Sequence, residues 1–301
     1  MTLNLGVRSK HAEQRLWLAL GIAVVVTTIE LTGGLLSKSL ALVSDSAHVF
    51  SDVLAILVSI LTLRLARRPH SARRTFGYHR AEIFAALLNG STLIAIALFI
   101  LYQSYRRFLQ PPEVQGNLVL IFASIGLAAN LGTAGLLVRS KEFSLNVSGI
   151  FLHVVGDVLS SFAVIVSALV IVLTHYLYAD PIIAVVIGLL ILRNAYWLTR
   201  ESMDILMEAT PKHLKLADIS NAILNVEGVR GVHDLHVWTI TSGLYALSGH
   251  ITVSSHTVKE ATLIREKVSR KLAESFGIDH VTLQVETEAL ETIQRDEGIG
   301  L

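Results

Sequence analysis

The sequence predicts an α-helical membrane protein with six transmembrane helices, followed by a small α+β domain. Three observations carry this reading. Hydrophobic residues make up 52% of the 301 positions and charged residues only 16%, against about 25% charged in an average soluble domain. The mean hydropathy is +0.58. Six apolar segments reach the roughly 20 residues needed to cross a bilayer, and the pattern changes to shorter amphipathic periods after Arg200.

The six segments fall at about 16–36, 40–63, 82–105, 117–138, 146–173 and 179–199. Ser37-Lys38-Ser39 is the only break between the first two, so these form an antiparallel helical hairpin. The chain divides into a cytoplasmic N-terminal segment (1–15), a transmembrane domain (16–207), a soluble domain (208–287) and a tail (288–301). Residues 2–15 are polar and lack the pattern of a cleavable signal, so the first apolar run stays as a membrane anchor.

Lysine and arginine set the orientation. With the N-terminus inside, inner segments hold Arg8, Lys10, Arg15, Arg64, Arg67, Arg68, Arg73, Arg74, Arg80, Arg139 and Lys141. Outer loops hold only Lys38, Arg106 and Arg107. The excess of cationic residues on one side predicts that both termini and the soluble domain are cytoplasmic. Absence of cysteine excludes disulfides, thiolate metal sites and thiol redox chemistry. The formal net charge of +1 gives no sign of a nucleic-acid partner, and none is expected.

The soluble domain reads in order. Leu214 to Val226 is helical, opened by Pro211 and closed near Gly228. Val229 to Ile240 alternates as a strand, Thr241-Ser242-Gly243 turns, and Leu244 to Val253 is a second strand. Thr257 to Phe276 is an amphipathic helix, and Val281, Leu283 and Val285 mark one face of a third strand from His280 to Glu286. This αββαβ order suggests a ferredoxin-like, metallochaperone-like layer of helices on a sheet.

The chemistry sits in two copies of one pattern inside the apolar segments, His48-x-x-x-Asp52 and His153-x-x-x-Asp157. A spacing of four puts imidazole and carboxylate one turn apart on one helix face. A charged Asp in hydrocarbon costs roughly 2.5–3.5 kcal/mol, so two such pairs point to function. Counted at about 1.5 Å per residue, all four residues fall near the bilayer midplane. Together they supply two nitrogen and two oxygen ligands, enough to close a tetrahedral zinc-type site. Two neutral imidazoles and two carboxylates carry a charge of −2, which a divalent cation cancels. An empty site takes up protons instead, because histidine titrates near pH 6.5. A site opened alternately to each side would then exchange metal for protons. Asp45, three residues before His48 on the same face, could be a fifth ligand, an entry-path carboxylate or a helix-start group near the outer surface, and the last two are favoured. Glu30, Asn89, Asn130 and Asn146 are expected to make interhelical hydrogen bonds.

Four stretches together resemble the cation diffusion facilitators: Ser39 to Asp52, Thr75 to Ile83 with Ala86-Leu-Leu-Asn-Gly90, His153 to Asp157, and His233-Asp-Leu-His-Val-Trp238. The resemblance implies a homodimeric exporter of Zn2+ or similar divalent ions, coupled to inward proton flow, in a bacterial inner membrane. The His/Asp set resembles the zinc and cadmium type. It further implies cytoplasmic metal ligands at His250 and Glu286. Of the nearby histidines, His233 is the favoured third ligand. On a flat strand His236 points to the opposite face from His233, so His236 and His280 are secondary candidates. Zn2+ bound there would be structural or regulatory. Only His11 lies in the N-terminal segment and no histidine in residues 139–145, so capture by a histidine-rich loop is not expected. Arg80, with Glu201 or Asp204, is a candidate salt bridge coupling the membrane and soluble domains.

Two other classes compete. An intramembrane zinc-dependent hydrolase needs an open coordination position and a nearby base. No His-Glu-x-x-His occurs, and four ligands close the sphere. A membrane metal sensor would not need matched ligands at the midplane. The sequence therefore favours a transporter over an enzyme.

Overall fold

The computed structural model describes the backbone of residues 3–66, 72–73, 75–139, 145–254 and 257–287. Side chains are described for these residues except 3–16, 18–19, 52, 59, 62–64, 66, 133–139 and 145–154. Parts of the expected inner loops, at 67–71 and 140–144, and the tail 288–301 lie outside the described residues. The elements are α1 (Leu3–Ser37), α2 (Leu40–Ala66), α3 (Arg80–Leu109), α4 (Gly116–Arg139), α5 (Leu145–Thr174), α6 (Ala179–Leu206), α7 (Leu216–Leu224), β1 (Val229–Thr241), β2 (Leu244–Val253), α8 (Val258–Phe276) and β3 (His280–Glu286). Residues 1–67 and 85–199 form one compact unit, and residues 68–84 and 200–301 a second.

In the first unit, α1, α2, α3, α5 and α6 each carry an apolar stretch long enough to span a membrane. The described apolar part of α4, Gly116–Gly132, is shorter. Helix α1 packs on α2 and α4, α4 on α5, and α2 on α5. Thus the two helices carrying the His/Asp motifs are neighbours. Small residues make close packing possible, as expected where no hydrophobic force separates protein from lipid. Ala41, Ala97, Ala123, Ala168, Ala184 and Ala195 are all in the buried core. A Cβ on Gly90 would strike Thr199 of α6, and one on Gly188 would lie 3.2 Å from Ile100 of α3. Leu88, Phe99 and Leu173 point outward, exposed as lipid-facing residues should be.

The start of α2 is held from α6. Asp180 is buried and accepts hydrogen bonds from Ser39 Oγ, the Leu40 backbone N–H (2.8 Å) and the Ala41 backbone N–H (3.2 Å). Arg107 Nη1 of α3 lies 3.0 Å from the same carboxylate and donates to the Lys38 carbonyl at 2.7 Å. Asp180 therefore caps a helix other than its own. It satisfies orphan N–H groups and places negative charge at the positive helix end.

In the second unit β1 pairs antiparallel with β2, and β2 pairs parallel with β3 after the α8 crossover. Val237, Leu247, Ile251 and Leu283 share a core with Ile219, Ile223, Val268 and Leu272 of α7 and α8. Thr257 caps α8 by accepting from the Glu260 N–H at 3.3 Å, and Gly277 ends it in the left-handed conformation at φ 67°. The expected αββαβ order is the order found.

Asp180→Ala is expected to cost about 1–3 kcal/mol, because it leaves the buried N–H groups at the start of α2 without their acceptor. Denaturant unfolding in detergent checks this. The double change with Arg107→Ala should cost less than the sum of the two.

Candidate metal centres

The first centre lies between α2 and α5. His48 Nε2 is 3.1 Å from Asp157 Oδ1, and Asp157 is buried. The His48 and Asp157 backbones sit on packed neighbouring helices, so each motif contributes one group to the contact. Asp52 and His153 lie on the same two helices, but their side chains are outside those described. In a tetrahedral zinc site with metal–ligand bonds of about 2.0–2.1 Å, adjacent donor atoms are about 3.3 Å apart. The His48–Asp157 gap is close to that edge, so either a shared proton or a metal ion can join these two atoms.

Asp45 does not sit where the sequence reading puts it. It is fully buried, and its oxygens accept from Ser160 Oγ at 2.6 Å and Ser161 Oγ at 2.9 Å, both on α5. Asn130 of α4 donates to Ser161 Oγ at 3.2 Å. A carboxylate enclosed by two serine hydroxyls is not exposed on an outer approach. Counting residues from the helix end fixed its height but not the face it shares with α5. Asn130 makes the interhelical hydrogen bond expected of it.

The second centre is on the sheet. His233 and His250 are direct partners across β1 and β2, with ring centroids 5.1 Å apart. Glu286 on β3 pairs with Thr252, two residues from His250 and on the same sheet face. The distances are 3.3 Å from His233 Nε2 to Glu286 Oε2 and 2.9 Å from His250 Nδ1 to Glu286 Oε1. One ligand atom from each of the three residues lies within 4.8 Å of the others. Glu286 is only 2% exposed and also accepts from Gln284 Nε2 at 2.8 Å. Two imidazoles and a carboxylate at these spacings fit three corners of a zinc tetrahedron.

A β-bulge changes the expected place of His236. His233 pairs with His250 and His236 with Ser248, so two residues of β1, Asp234 and Leu235, oppose the single Gly249 of β2. The extra residue resets strand parity, and both histidines face the same side. Asp234 takes φ 49° at this point. Its carboxylate lies 2.8 Å from His236 Nε2 and 3.8 Å from His250 Nε2. Asp234 was not among the sequence candidates. Gly249 in mid-strand was the available signal: a Cβ there would lie 3.0 Å from Leu235 of the bulge. His280 is exposed against the Phe76 ring, 5.9 Å between centroids, rather than among the three clustered ligands.

Arg80 pairs with Glu208 at 2.7 Å rather than with Glu201 or Asp204. Asp204 lies 3.9 Å from Lys212 instead. The reason is local: α6 ends at Leu206, and Glu208 takes a left-handed φ of 59°, a turn that helix counting misses. Close by, Thr241 Oγ1 at the β1–β2 turn donates to Glu82 at 2.8 Å.

Residues 16–207 match the cation efflux transmembrane domain, and residues 211–288 match the cytoplasmic domain of cation efflux proteins. The chain belongs to the cation efflux family, the cation diffusion facilitators. Relatives agree over most of their length. A "cadmium, cobalt and zinc/H(+)-K(+) antiporter" of Bacillus velezensis is 41% identical over 264 residues, covering 87% of this chain and 84% of that protein. The cation efflux system protein CzcD of an Alcaligenes species is 37% identical, covering 91% and 86%. The zinc transporter ZitB of Escherichia coli is 34% identical, covering 91% and 87%. The family and these relatives are transporters, not enzymes.

Ser161→Ala is expected to cost about 1–3 kcal/mol, because it removes a donor from the buried Asp45. Ser91→Ala, at an exposed helical serine that donates to the Leu87 carbonyl of its own helix, should be nearly neutral. Unfolding of both variants in detergent compares them directly.

Proposed function

We propose that this cation efflux protein exports a divalent metal from the cytoplasm in exchange for protons, with Zn2+ as the principal cargo. The observation that carries the proposal is the His48–Asp157 contact joining α2 to α5. In this reading Asp52 and His153 complete the ligand set. The cargo is held by two imidazoles and two carboxylates and leaves when protons neutralise the same atoms. Alternating exposure then requires that the two helices move relative to each other, which a site shared between them permits. The relatives' names, which include zinc, cadmium and H(+), support this cargo and coupling.

In the proposal, His233, His250 and Glu286 hold a second Zn2+ that stays with the protein, and Asp234 positions His250 and His236 from beside the site. The hydrogen-bonded sheet fixes these ligands in register, which suits a structural or regulatory ion better than cargo. The working protein is proposed to be a homodimer in a bacterial inner membrane, with both termini cytoplasmic. The lysine and arginine distribution supports that orientation, and the bacterial relatives support that membrane.

Coupling has an electrical consequence. One proton inward per Zn2+ outward moves net positive charge out, against an inside-negative potential, at about 2.3 kcal/mol per charge per 100 mV. Two protons per ion would be electroneutral.

Proteoliposomes with a trapped pH indicator test the reading. Zn2+ should drive proton movement in the wild type, and Asp157→Ala or Asp52→Ala should abolish it while assembly persists. Normal exchange by Asp157→Ala would remove the basis of the proposal. Glu286→Ala should retain partial transport. In equilibrium dialysis of the full chain, the same change should weaken the resident Zn2+ by at least about tenfold, the order lost when a metal site's supporting groups are removed.

A further inference from the structure

Glu30 of α1 takes no part in the chemistry above. It is fully buried. Among the described residues neither of its carboxylate oxygens has a hydrogen-bond partner. The interhelical hydrogen bond expected for it is therefore not what the structure provides. Its carboxyl packs instead against a glycine of α4: a Cβ on Gly126 would collide with Glu30 Oε1 and lie 3.0 Å from Cδ. Nearly one turn earlier on α1, Thr27 Oγ1 is likewise buried without a hydrogen-bond partner.

Among the described residues no ion pair involves Glu30. Helix α1 packs on α2 and α4. Helix α2 brings the carboxyl of Asp45, and His48 lies further along α2, paired with Asp157 of α5. Helix α4 carries no titratable side chain from Gly116 to Val138. Asp45 satisfies its charge through two serine hydroxyls. Glu30 has no such donors, and an unpaired carboxylate charge in this interior is far costlier than a neutral carboxyl. A proton needs a single oxygen, which is what the Gly126 cradle encloses.

We propose that Glu30 is a proton-carrying group of the exchange, distinct from the metal ligands, and that the Gly126 cradle encloses it as the neutral acid. In the cycle its carboxylate takes one H+ from water on the outer side, crosses the closed conformation as the neutral carboxylic acid, and gives that H+ to cytoplasmic water. This inference rests on the proton-coupled export reading and names where one of the protons travels.

Glu30→Gln keeps the shape and removes the proton. In proteoliposomes it should lower the protons moved per Zn2+ by one, while Zn2+ binding by the purified chain stays unchanged. An unchanged proton-to-metal ratio across the pH range overturns the proposal. Absence of Zn2+-driven proton movement in the wild type would instead defeat the export reading, before any variant is compared. Infrared difference spectra of the metal-free protein give a readout independent of transport. A carboxylic-acid carbonyl band should be present in the wild type and lost in Glu30→Gln, and a spectrum without that band overturns the assignment. If the Gln variant does not assemble, Glu30→Asp withdraws the acid from Gly126 and should move the band, whereas an unmoved band contradicts the proposal.

Discussion

A carboxylate inside a lipid-surrounded bundle has to be neutralised, and the membrane unit shows several ways of doing it. Asp180 is met by a guanidinium, a hydroxyl and the N–H groups at the start of α2. Asp45 is met by two hydroxyls. Asp157 is met by an imidazole. The first two solutions are fixed, since neither an arginine nor a serine gives up its proton near neutral pH. An imidazole can. The His48–Asp157 contact is therefore the one among these three whose partner can change, and the exchange mechanism is built on that difference.

The two candidate centres use similar donors in different frames. Nitrogen–oxygen separations of 3.1 Å between the helices and 3.3 Å on the sheet both approach the edge of a zinc tetrahedron. On the sheet, backbone hydrogen bonds fix the register of His233, His250 and Glu286. Between the helices only side chains bridge the gap, so a shift of α2 against α5 would alter the donor set. Similar chemistry thus fits a retained ion in one frame and a passing ion in the other. The cap that Asp180 places on α2 anchors that helix at its N-terminal end, about two turns before His48.

What the sequence made legible was periodic or local. Apolar run length located the membrane helices, alternation located the three strands, and the four-residue spacing of His48-x-x-x-Asp52 and His153-x-x-x-Asp157 singled out α2 and α5. What it hid depended on direction or distance. Asp45 has a readable height, but its orientation toward Ser160 and Ser161 follows from packing against α5. His236 was assigned to the wrong sheet face because a flat strand was assumed, and the bulge at Asp234 was marked only by Gly249 across the ladder. Arg80 found Glu208 because the chain turns left-handed just past α6. Asp180 reads as an ordinary acidic residue at a helix start, since the helix it caps begins 140 positions earlier.

X-ray absorption at the zinc edge tests the central claim most directly, on full-length protein carrying His250→Ala and Glu286→Ala so that one ion remains. The account predicts four-coordinate zinc with imidazole and carboxylate ligands at about 2.0–2.2 Å, lost when His48 or Asp157 is replaced by alanine. A zinc signal with only oxygen scatterers, unchanged by either replacement, would contradict it.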